Sequence, residues 1–133
     1  MRYQQAILTV AVIAALGCGR GSGGGTPTTP SNPGNPAPVP TTTITITAAG
    51  VNPQVITVPV GSRVTFINND SRSHEMHSDP HPNHGDCPPI DDVGFIAPGQ
   101  TKLTGNLTVA RTCGYHDHNL PETTSLQGQI IVQ

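Results

Sequence analysis

The sequence has no tryptophan, and only two Phe and two Tyr among its 133 residues. That leaves no stacking platform for nucleobases or sugar rings. Charged residues make up 11% of the chain, too few for the charged outer faces of coiled coils or helical bundles. Six Lys and Arg stand against eight acids, a formal net charge of −2. Without a basic patch there is nothing to neutralise a phosphate backbone, so nucleic acid is not an expected partner. The longest apolar run, residues 6–16 with Thr9 inside it, falls short of the ~20 residues that span a bilayer. Nucleophile-elbow, phosphate-loop and dinucleotide motifs are all missing, so the chain is not read as an enzyme.

What is abundant is Gly (15) and Pro (14), unevenly spread. Residues 1–17 carry an Arg, then the apolar run, then Ala15-Leu16-Gly17-Cys18. This is the layout of an export signal, and its end resembles a bacterial lipobox. The expectation is a signal peptide over 1–17, lipidation of Cys18, and a mature protein anchored to a cell or outer membrane, facing the periplasm or exterior. Residues 18–43 are rich in Gly, Pro, Ser and Thr, with Pro at 27, 30, 33, 36, 38 and 40. No apolar period exists there to offset the entropy of ordering, so a tether is expected, extended where Pro is frequent.

Residues 44–133 read as one small all-β domain. Ile44–Thr47 and Val55–Val58 are β-branched, and Arg63–Ile67 follows a turn at Pro59–Ser62. Val93–Ile96, Lys102–Ala110 and Gln129–Val132 complete the strand candidates, with Leu103, Leu107 and Val109 expected to point inward. Short strands separated by Gly, Pro and Asn turns predict a Greek-key β-sandwich.

The chemistry is concentrated in one stretch. All six His lie between His74 and His118, with Cys87 and Cys113 among them, and the eight acids lie between Asp70 and Glu122. His and Cys gathered on a β scaffold point to a borderline or soft metal, copper or zinc.

The strand Val58–Asp70 followed by His74, the Cys113-Gly114-Tyr115-His116 motif, and the closing Gly128–Val132 together resemble a cupredoxin, the plastocyanin-type blue copper family. In plastocyanins the first copper His follows paired Asn by the spacing seen here between Asn68 and His74, and a Cys-x-x-His supplies the thiolate and the second imidazole. The resemblance implies a β-sandwich that binds one copper ion in a type 1-like site and passes single electrons to redox protein partners. It implies His74, Cys113 and His116 as ligands, with Cys113 on a loop and free of any disulfide. Leu126 stands where the family places its axial Met, and His118 competes for that slot.

The segment Asp79–Cys87 has no counterpart in plastocyanin, and its His81, His84 and Cys87 fall three apart, suggesting a second metal site. Zinc prefers a fourth strong ligand, which His118, His77 or Cys87 can supply. A rival reading from another class stands beside these. Outside the cytoplasm two nearby thiols tend to oxidise, and a Cys87–Cys113 disulfide would make the domain an Ig-like binding module or a non-redox copper or zinc capture protein.

Overall fold

The computed structural model describes Gly34 and residues 36–133. The signal expected over 1–17, lipidation at Cys18 and most of the tether lie outside the described residues. Among the described residues there are ten strands: β1 (Val39–Pro40), β2 (Thr43–Thr47), β3 (Gly50–Asn52), β4 (Val55–Val58), β5 (Thr65–Asn68), β6 (His74–Ser78), β7 (Gly94–Ile96), β8 (Thr101–Leu103), β9 (Arg111–Asp117) and β10 (Gly128–Val132). They form a six-stranded sheet in the order β1-β4-β10-β9-β6-β7 and a four-stranded sheet in the order β3-β2-β5-β8. The only helical segments described are single 3₁₀ turns at Pro88–Ile90 and Thr124–Leu126.

Alternation explains the layers. In β2, Ile44 and Ile46 are buried between half-buried Thr residues, as period-2 patterning requires of a strand with one covered face. The core joins these to Phe66, Ile56, Val58, Met76, Tyr115, Ile130 and Val132. Phe66 of β5 meets Tyr115 of β9 edge to face, centroids 5.3 Å apart, tying the two sheets together. Burial pushes the Tyr115 phenol up, so it stays neutral and donates to the Gln54 carbonyl at 3.3 Å.

Strand pairing begins at Val39, opposite Ile56 of β4, inside the segment expected to be tether. The expected long strand over Lys102–Ala110 ends instead at Leu103. Beyond it the Thr104 amide donates to the Val64 carbonyl and the Gly105 amide to that of Pro89, which draws the chain off the sheet. Leu103 and Val109 are consequently exposed, at 43% and 62%, and of the three residues expected inward only Leu107 is buried.

The segment from 111 to 117 was expected as a loop in its Cys113–His116 part; it is the longest strand described. Three residues along a strand put two side chains on opposite faces. Cys113, Tyr115 and Asp117 share the inner side, and Gly114 and His116 share the outer one. The same holds in β6: Met76 is in the core, so His77 projects outward, directly opposite His116 in the β6–β9 register.

Candidate metal centre

The expected ligand set does not converge. His74 is 1% exposed, with Nδ1 2.7 Å from Asp117 Oδ2 and Nε2 3.2 Å from Asp70 Oδ2. Both ring nitrogens are engaged by carboxylates, and Asp117 stands beside His74 where the thiolate was expected. Cys113 lies four residues back along β9, about 13 Å at strand rise. Its sulfur is bonded to Cys87, so neither Cys is a free thiolate in this state. Leu126 is buried in the apolar core and has no donor atom. The triad His74, Cys113, His116 is therefore corrected: strand alternation separates the last two, and the disulfide occupies the sulfur. For the same reason Cys87 is no partner to His81 and His84.

Asp70 anchors the inner pole. Burial works against its charge, but hydrogen bonds from Arg72, His74 and the Ser71 amide outweigh it and lower its pKa from 3.8 to about 2. A carboxylate depressed in the fold adds stability above its unfolded pKa and loses it as pH falls through the folded one. Thermal melts should show a stability loss between about pH 4 and pH 2 that Asp70→Asn removes. An identical pH profile in the variant would overturn this.

A second cluster sits on the outer face of the six-stranded sheet. The loop after β6 folds back over β9, held at several points. The Asp79 amide donates to the Gly114 carbonyl at 3.1 Å and the Asp86 amide to the Asp79 carbonyl at 2.9 Å. Asp86 pairs with Arg111, Cys87 is bonded to Cys113 past the end of β6, and Ile90 enters the core. This loop carries His81 and His84 to His116 and His118, and one donor atom from each of the four lies within 4.8 Å of the others. His84 is the hub: its ring centroid is 4.4 Å from His77, 4.9 Å from His118, 5.2 Å from His116 and 5.7 Å from His81.

His84 has φ 52°, a left-handed conformation that costs a non-Gly residue energy and often marks a functional position. Its carbonyl accepts from the Ser78 hydroxyl at 2.7 Å and its amide donates to the Pro80 carbonyl at 2.8 Å. Burial, and then the proximity of His77, His116 and His118, lower the His84 pKa below the usual 6.5, with Asp91 opposing. The ring therefore keeps a free lone pair at pH values where an ordinary His begins to protonate.

His116 shows what the cluster is suited to. Nδ1 lies 2.7 Å from Asp79 Oδ1, while Nε2 is buried with no partner. Unpaired buried polar atoms are costly and rare. A carboxylate holding one imidazole nitrogen while the other waits is how metal-ligating His are commonly oriented. The close approach depends on Gly114, because a β-carbon there would collide with the Asp79 carboxylate. Four neutral imidazoles suit copper or zinc.

Sequence reasoning reached His116, His118, His81 and His84 but divided them between two sites. It named His77 only as a spare donor and gave Asp79 no role. The available signal was His116-x-His118, two residues apart and so close to one face.

No protein-family model matches the chain. No curated protein matches it either. Solved structures do. A purple cupredoxin from Nitrosopumilus maritimus aligns over 70% of this chain and all of its own, with 18% identity and a TM-score of 0.52. A reduced Cu(I) amicyanin variant aligns over 68% of this chain and 80% of its own, at 21% identity and TM-score 0.54. A mutant fern plastocyanin aligns over 68% and 99%, at 15% and 0.53. The chain has a cupredoxin-like fold: a two-sheet β-sandwich with almost no helix among the described residues.

Proposed function

We propose that this is an exported copper-binding protein in which imidazoles, not a thiolate, hold the ion. His81, His84, His116 and His118 are the donors, and Asp79 orients His116. The observation that carries the reading is the buried, unpartnered Nε2 of His116 opposite its Asp79-bound Nδ1. The copper-binding neighbours of the same fold favour copper over zinc, and zinc is the competing occupant. Adding Cu(II) to the full chain with its disulfide intact should give a nitrogen-rich tetragonal EPR spectrum. An intense thiolate-to-copper charge-transfer band should be absent, and His116→Ala should weaken binding. A strong thiolate band, or undiminished binding in His116→Ala, would overturn the assignment.

The sandwich fold also favours a role in one-electron transfer with redox protein partners. Voltammetry separates the roles: reversible Cu(II)/Cu(I) cycling with the ion retained supports transfer, and loss of the ion on reduction leaves capture. The disulfide fits an oxidising compartment, and the Gly17-Cys18 pair after an apolar run supports lipid anchoring. Fractionation should recover the chain with membranes and release the Cys18→Ser variant. Equal recovery of both in the soluble fraction would remove the anchor.

A further inference from the structure

Among the described residues, two buried side-chain nitrogens have no hydrogen-bond partner: His116 Nε2 and His77 Nδ1. They belong to different donor groups. His116 falls with His81, His84 and His118; His77 falls with His84 and Asp91. Both rings have a carboxylate near the other nitrogen, more closely at His116 than at His77. His116 has its other nitrogen on Asp79, and His77 has Nε2 3.4 Å from Glu75 Oε1. In each, a carboxylate lies beside one ring nitrogen, as is common behind metal-ligating His. His77 Nδ1 also lies 3.3 Å from Asp91 Oδ1. Asp91 is itself held, since Oδ1 accepts from the Ser78 amide at 2.8 Å.

His77 Nδ1 thus faces Asp91, and the donor group these two form with His84 shares only His84 with the first group. We propose that the cluster is a two-ion centre, in which a second divalent cation of the copper or zinc class binds His77, His84 and Asp91, and His84 bridges the two ions. This rests on the imidazole reading of the first site. His84 Nε2 lies 3.2 Å from His118 Nδ1 and serves the first ion; Nδ1 serves the second. A neutral imidazole has one lone pair, so the second ion displaces the remaining ring proton to the buffer and the ring bridges as imidazolate. Metal binding that releases protons is the general rule. The paired charge is offset by carboxylates on the loop and on β6: Asp91 as ligand, with Asp79 and Glu75 behind the flanking rings.

The test is the stoichiometry of Cu(II), and separately Zn(II), on the full disulfide-bonded chain by native mass spectrometry. Two ions per chain are expected. His77→Gln and Asp91→Asn should each bind one; the latter keeps an acceptor for Ser78. His118→Gln should weaken the first ion. Two bridged Cu(II) ions couple their spins, so the integrated EPR signal should fall below two spins. Saturation at one ion overturns the second site and leaves the first standing; no ion at all overturns both. Two ions with two uncoupled spins refute the shared His84. Unchanged stoichiometry in both His77→Gln and Asp91→Asn places any second ion elsewhere and defeats the proposal.

Discussion

Replacing both Cys87 and Cys113 by Ser should cost about 3–4 kcal/mol of stability, the entropy of a loop of this size, and should weaken metal binding with it. The bond spans 26 residues and ties Cys87, three residues after His84, to β9. His116 and His118 belong to β9 and the residue after it, so they stay in place without the bond. The loop imidazoles lose their covalent tie to β9 and keep only hydrogen bonds and the Asp86–Arg111 pair, which at a partly exposed site adds little. Binding then has to order the loop, and that entropy is subtracted from affinity. Denaturant midpoints and zinc affinity by chelator competition measure the two effects. A double variant that melts and binds as the parent does would show that the staple supports neither.

The second large effect concerns a residue that donates nothing to the ion. Asp79→Ala should lower metal affinity by about 10–100-fold, the usual penalty for losing a carboxylate behind a ligating His. With Asp79 gone, the His116 ring is free to exchange its tautomer and rotate, and Nε2 is no longer held ready. Gly114→Ala should act in the same direction by a different route, since its β-carbon would push the Asp79 carboxylate away. Both variants retain every imidazole. Matching losses of affinity with unchanged circular dichroism would identify orientation as the cause. Affinity within twofold of the parent in Asp79→Ala would mean that packing alone fixes His116.

These variants bear on how far the sequence was readable. The apolar strands β2, β4 and β10 announce themselves, because β-branched residues alternate or cluster between turn signals. β6 and β9 do not. His74-Glu75-Met76-His77-Ser78 contains a single aliphatic residue, and its strand character comes from pairing with β7 and β9. Once β9 is taken for a loop, Cys113 and His116 are free to converge; as a strand it points them apart. The Cys-x-x-His motif was thus legible as letters but not as geometry. The disulfide was present as a rival reading, and nothing local decides between a free and a bonded Cys. The His cluster was legible as composition. Its division into donor groups was not, since that depends on the β6–β9 register and on the fold-back of the loop after Ser78.

His81 is exposed, while His116 is buried beneath the loop. The site therefore has a closed floor and an open doorway. On the proposed reading, an arriving chelator or partner imidazole would replace His81 first while the remaining donors held the cation, so an ion would change hands by stepwise substitution. None of the four imidazoles belongs to the apolar interior. On the proposed reading, an ion would enter and leave at the outer face of the six-stranded sheet without opening the sandwich beneath it.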